Sequence, residues 1–148
     1  MYLKKIDDLI GIPFVGGGRD PNKGLDCYGL VMEVFRRYGY ELPEYTDAVR
    51  EWNNEKRCHE FYTEQKSRYW KEIKNPTVPC LIAFSFNVPR GTVNHSGVYI
   101  GDGKFIHTRE RVGACIESIN NPAWRRLIEG YYECTINGSK ESNNTGKE

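Results

Sequence analysis

The residues Gly24-Leu25-Asp26-Cys27-Tyr28-Gly29-Leu30-Val31 put a cysteine where a loop turns into a helix, and the rest of the chain has to be arranged around that point. From Cys27 onward the apolar residues fall at Leu30, Val31, Val34, Phe35 and Tyr38. That spacing is the stripe of an amphipathic helix. Asp26 is a favoured N-cap residue, which makes Cys27 the first helical position. Unpaired backbone N–H groups and the helix dipole favour an anion there, so the position predicts a thiol shifted toward thiolate. Cys27 also lies on the stripe that faces the core, at the floor of a cleft. Two readings stand side by side: a reactive thiol, or a small buried cysteine that only packs.

A chain of 148 residues suits one domain with one core, and ten Tyr, six Phe and three Trp supply bulk for it. The net charge of +1 comes with no basic stripe, so nucleic acid is not an expected partner. Met1 to Asp8 lacks the apolar segment of a signal peptide, and no apolar run is long enough to span a bilayer. The expectation is a protein made in the cytoplasm without a signal peptide. The five cysteines, Cys27, Cys58, Cys80, Cys115 and Cys134, are widely and irregularly spaced with no C-x-x-C pair. Separate reduced thiols are expected, with neither a disulfide framework nor a metal centre.

Lys4 to Ile10 reads as a short helix ending at Gly11. The following loop, Pro13 to Gly24, is dense in turn residues. Its Gly16-Gly17-Gly18 run lacks the Gly-Lys-Ser/Thr ending of a phosphate-binding loop, and no cofactor is expected. We read the glycines as letting backbone wrap closely around the start of the Cys27 helix. That helix is expected to run to about Tyr38 and stop at Gly39. Asp47 to Lys74 reads as one or two helices. Cys58-His59 lies within it, but adjacent helical residues point about 100° apart and chelate a metal poorly. From Pro79 the apolar period becomes two, with strands predicted at Leu81–Phe86, His95–Ile100, Lys104–Thr108, Val112–Ile119 and Gly130–Ile136. A brief helix runs through Trp124 to Ile128. Asn137 to Glu148 is almost without apolar residues and is expected to be a disordered tail, leaving 1–136 as the domain. Helices first and antiparallel strands second make an α+β fold.

A thiolate nucleophile needs a base within hydrogen-bond reach, and the base needs a group that orients it. The histidines are His59, His95 and His107, and the last two lie on the two arms of one predicted hairpin. Side chains alternate faces along a strand, so the loop decides whether they meet. A two-residue Asp102-Gly103 loop pairs Val98 with His107 and puts the imidazoles on opposite faces. A three-residue Gly101-Asp102-Gly103 loop pairs Gly97 with His107 and puts them on one face, as diagonal neighbours roughly 7 Å apart at their backbones. The three-residue loop is the expectation.

The order Gly11-x-Pro13-Phe14-x-Gly16-Gly17, then Gly24-x-Asp26-Cys27-x-Gly29-Leu30-Val31, then His95-x-Gly97-Val98-Tyr99-Ile100-Gly101, then Phe105-Ile106-His107 resembles the NlpC-type cell-wall peptidases. The resemblance implies a papain-like α+β fold, with N-terminal helices packed on an antiparallel sheet and the nucleophilic cysteine at a helix N-terminus. It implies Cys27 as nucleophile, His95 as general base and acid, and His107 as the group orienting His95. The implied reaction is hydrolysis of peptide bonds in peptidoglycan stem peptides through a thioester. Two positions depart from the family pattern: Phe14 where Tyr is usual, and Tyr28 where Ser is usual. Tyr28, with Arg109-Glu110-Arg111, Trp124 and Gly130-Tyr131-Tyr132, is similar to the branch found in bacteriophage tail-tip assembly proteins. Tail-tip proteins are then implied as partners, and the virion tail as a location. The alternatives are a non-catalytic tail-tip subunit, or an amidase or transferase acting on another acyl group.

Overall fold

The computed structural model describes residues 5–44 and 54–136. The expected disordered tail, and the start of the helical segment expected from Asp47, lie outside them. Lys5 and Ile6 are helical and run into a 3-10 turn, Asp7–Leu9, where the first helix was expected. A two-stranded ribbon follows, β1 (Arg19–Asp20) with β2 (Gly24–Leu25), and leads straight into helix α1, Cys27–Arg37. Helix α2 spans Glu55–Tyr69, and α3 is a single turn at Pro122–Arg125. Among the described residues no helix is long and apolar enough to cross a membrane.

The main sheet is antiparallel throughout and holds β3 (Trp70–Ile73), β4 (Cys80–Phe84), β5 (His95–Gly101), β6 (Lys104–His107), β7 (Cys115–Ser118) and β8 (Ile128–Cys134), in the order β3-β8-β4-β5-β6-β7. Helices precede an antiparallel sheet, as expected. Two helix boundaries differ: the brief helix expected to reach Ile128 ends at Arg125, with Ile128 opening β8, and the other lies at the end of α2. The helix predicted to reach Lys74 ends at Tyr69, because Trp70 to Ile73 pair with β8 from Cys134 back to Tyr131. Pairing with a neighbouring strand overrides the local helical pattern there, and Trp70 meets Phe35 of α1 edge to face, with ring centroids 5.4 Å apart.

The two faces of the sheet are chemically different. Leu81, Ala83, Val98, Ile100 and Ile106 join Leu30, Val31, Val34 and Phe35 of α1 in one largely aliphatic core. Ile82, Phe84 and Phe105 point the other way, onto Trp124 of α3, with Phe86, Tyr99 and Tyr131 around them. Alternation along β5 thus sends Ser96, Val98 and Ile100 toward α1, and His95, Gly97 and Tyr99 toward the aromatic layer.

Candidate active site

Helix α1 begins as its sequence requires. Asp26 is its N-cap and accepts from the backbone N–H of Gly29 at 2.8 Å through Oδ1. The same carboxylate accepts from Gly17 N–H at 2.9 Å and from Arg19 Nη1 at 2.7 Å, and it is 4% exposed. The glycine loop wraps the helix start as expected. A Cβ on Gly29 would lie 2.1 Å from the Gly18 carbonyl oxygen, which leaves room for no other residue.

Cys27 is the first residue of α1 and is half-buried. The expected shift toward thiolate is reversed. Burial, followed by the carboxylate of Asp26 and then Cys58, pushes the thiol up to about 12. Ser96, the β5 residue on the same face of the sheet, pulls the thiol pKa down by less. Removing a charge from water outweighs the partial charges of a helix end, and the cap that builds the helix start is itself an anion beside the sulfur.

The histidine hairpin reaches the expected register by a different route. The tip is a two-residue turn, Asp102 (φ 55°) and Gly103 (φ 74°), closed by the pair Gly101–Lys104. Both tip residues take the left-handed conformation of tight hairpin turns. Ile100 is then an extra residue between the pairs Tyr99–Phe105 and Gly101–Lys104, a β-bulge. The bulge corrects the three-residue loop expectation but has the same effect on pairing. Val98 faces Ile106, so Gly97 comes opposite His107. His95 Nε2 lies 2.8 Å from His107 Nδ1. Gly97 makes that possible, since a Cβ there would sit 2.9 Å from the Ile106 carbonyl oxygen and 3.2 Å from His107 Cβ.

Both imidazoles are embedded in the aromatic layer. His107 has Trp124 at 4.6 Å and Phe105 at 4.9 Å between ring centroids, and His95 lies 5.4 Å from Phe84. Burial, then His107 and Arg109, holds His95 well below the usual histidine range. Burial, then Arg109, brings His107 down to about 4. The resting site is therefore a neutral thiol and two neutral imidazoles.

Cys27 and His95 come from opposite faces of the sheet, and both line a cleft of about 450 Å³. Phe14, Cys58, Asn94, Thr108 and Arg109 to Arg111 also line it. Arg109 lies over Phe86 and Trp124, with its guanidinium carbon 5.8 and 5.6 Å from their ring centroids. Sequence reading left Arg109 aside, because its cleft position depends on Trp124, a contact made across the fold. It missed Ser96 and Cys58 for the same reason. The third histidine, His59, accepts from Val93 N–H at 3.0 Å and ties α2 to the segment before β5.

Murein DD-endopeptidase MepH of Escherichia coli is 32% identical over 130 residues, covering 86% of this chain and 43% of that protein. Murein DD-endopeptidase MepS/murein LD-carboxypeptidase, from the same organism, is 30% identical over 120 residues, covering 80% and 54%. The chain spans 27% to 70% of the length of such relatives. Among solved structures, a lipoprotein-like NLP/P60 family protein from Staphylococcus aureus superposes with a TM-score of 0.62 at 21% identity, covering 92% of this chain and 41% of that one. The match to the NlpC/P60 family extends over residues 11–132, and the chain belongs to that family.

Proposed function

We propose that this protein is a cysteine peptidase that hydrolyses peptide bonds in the stem peptides of bacterial peptidoglycan. One observation carries the reading: a helix-start cysteine and His95, itself hydrogen-bonded to the buried His107, line a single cleft. The two murein endopeptidases among its relatives support the substrate class.

With His95 Nε2 committed to His107, Nδ1 is the nitrogen left for the thiol. The role of base requires that nitrogen to be unprotonated, so His95 carries its proton on Nε2 and donates it to His107 Nδ1. His107 then carries its own proton on Nε2. As substrate fills the cleft, Cys27 gives its proton to His95 as the sulfur attacks the carbonyl carbon. The backbone N–H of Cys27 receives the developing oxyanion. Protonated His95 passes the proton to the leaving amine as the C–N bond breaks, leaving a thioester. His95 then takes a proton from water, whose oxygen attacks the thioester and frees the thiol. Phe14 lines the cleft without a hydroxyl, so backbone groups carry the oxyanion. Arg109, held against two rings, faces the carboxylates of the stem peptide.

The test is release of new amino ends from purified sacculi by the protein and by Cys27→Ala. Release by the parent alone is expected. Equal release would leave the cleft an assembly surface, and mass spectrometry of products from defined stem peptides identifies the bond. A place in a phage or prophage tail tip belongs to the same proposal and rests on Tyr28 and the aromatic residues near Trp124. Finding the chain in purified particles tests it.

A further inference from the structure

Behind the histidine pair, on the side away from Cys27, lies a second group of donors that the peptidase chemistry does not use. His107 is fully buried, and its Nε2 has no hydrogen-bond partner among the described residues. A buried polar nitrogen without a partner costs about 1–3 kcal/mol, so its surroundings call for explanation. Cys115 stands directly across from His107 in the β6–β7 register, and Glu117 follows two residues later on the same face. Glu117 Oε2 is 3.9 Å from His107 Nε2 and accepts from the Cys115 thiol at 3.8 Å. The three donor atoms all lie within 4.8 Å of one another.

We propose that His107 Nε2, Cys115 Sγ and Glu117 form a binding site for a borderline divalent cation of the Zn²⁺ class. One nitrogen, one sulfur and one carboxylate oxygen are a donor set for zinc, not for magnesium or calcium. Tetrahedral zinc with these donors separates them by about 3.3–3.6 Å, so a contraction of about 1 Å completes the site. Cys115 and Glu117 are half-buried on β7, an edge strand, which leaves a way in and room for water as the fourth ligand. No spacing rule finds this set in the sequence, because its members share a site only through strand register.

The cation acts on His95 through His107, a consequence that rests on the peptidase reading. Coordination at Nε2 forces the His107 proton onto Nδ1, which must then donate to His95 Nε2. His95 is left with its proton on Nδ1, the nitrogen that should take the proton from Cys27. Cys115 and His107 Nε2 each release a proton, and His95 Nδ1 takes one up, so binding frees one proton overall. A bound cation therefore switches the base off without touching the cleft.

The test uses the Cys27→Ala chain, which removes the nucleophile as a competing ligand. Zn²⁺ titrated by calorimetry should bind one to one. Co²⁺ in its place should give a thiolate charge-transfer band and tetrahedral d–d bands. Cys115→Ser in that background should lose the thiolate band and at least tenfold in affinity, while Glu117→Gln should lose affinity and keep the band. Each variant is checked for cooperative thermal unfolding. In the Cys27→Ala chain itself, with no further substitution, Zn²⁺ should protect Cys115 and not Cys58 from iodoacetamide, as read by peptide mass. Nitrogen-15 shifts should move the His95 proton from Nε2 to Nδ1. Unchanged labelling of Cys115, or equal Zn²⁺ affinity after Cys115→Ser, overturns the site. An unmoved His95 proton with zinc bound overturns the switch. Zinc binding by a chain inert on sacculi would retain the site and refute only the peptidase reading.

Discussion

The aliphatic and aromatic faces of the sheet contribute to one cleft in different ways. The aliphatic face, with α1 packed on it, presents the start of a helix and so places Cys27. The aromatic face encloses two imidazoles and so sets their protonation. Packing on the first decides where an atom is; packing on the second decides what charge it carries. A site assembled from both can be damaged in two separable ways.

The largest effect should come from opening either face. Leu30→Ala, at a position 1% exposed against the sheet, should cost about 2–5 kcal/mol in urea unfolding and leave histidine titration unmoved. Trp124→Ala should cost about 3–5 kcal/mol and also let water reach His107, raising its pKa from about 4 toward the ordinary value in proton NMR. Equal histidine shifts in both variants would erase the distinction between the faces.

Acid should then single out the aromatic face in the unaltered protein. His107 holds about 4 when folded against 6.5 when unfolded, so between those values the unfolded chain binds the extra proton. Stability must fall as pH drops through that window, by on the order of 3 kcal/mol from this residue. Urea unfolding in chelator at several pH values, compared with His107→Gln, measures it. A variant that loses as much as the parent would place the acid sensitivity elsewhere.

A smaller effect is expected where the strands carry the two histidines. Gly97→Ala pushes a methyl group against the Ile106 carbonyl and His107, which should cost about 1–3 kcal/mol. The hydrolysis rate should fall by more than the stability loss accounts for, because the two rings are forced apart. A rate that tracks the folded fraction alone would separate the ring contact from catalysis.

The smallest effect belongs to the aliphatic side. Asp26→Asn keeps a capping oxygen for Gly29 and removes the carboxylate that helps hold the Cys27 thiol protonated. Iodoacetamide should label Cys27 several-fold faster at neutral pH than in the parent, whose labelling should still be rising at alkaline pH. An unchanged rate would leave burial as the whole cause.

What was legible beforehand follows the same division. Helix α1, its cap and its glycine-wrapped start are set by residues within a few positions of one another, and the pattern Asp26-Cys27 with Leu30, Val31, Val34 and Phe35 was sufficient. The pairing of Gly97 with His107 was also legible, since one face had to hold both histidines, although the bulge that produces it was not. The thiol's upward shift was missed because local position speaks of the helix dipole, whereas the burial that raises the thiol comes from the packing of the whole fold, with Cys58 brought beside it by α2. Strand β3 was read as helix because only β8, some sixty residues later, makes it a strand. Arg109 was named without a place in the cleft, and Glu117 stayed out of view, because each acquires its place from a neighbour distant in sequence.

Ile100 turns this difference into arithmetic. In a strand, side chains count odd and even, and a bulge adds one to the count. Flattening the bulge with every residue kept would put Ile100 opposite Phe105 and Val98 opposite His107. Both histidines would still be present in order, flanked by the same neighbours, yet they would stand on opposite sides of the sheet. A hairpin of the same length and the same histidine motifs, but without the bulge, would not hold the pair. The bulge at Ile100 carries as much of the chemistry as the histidines themselves.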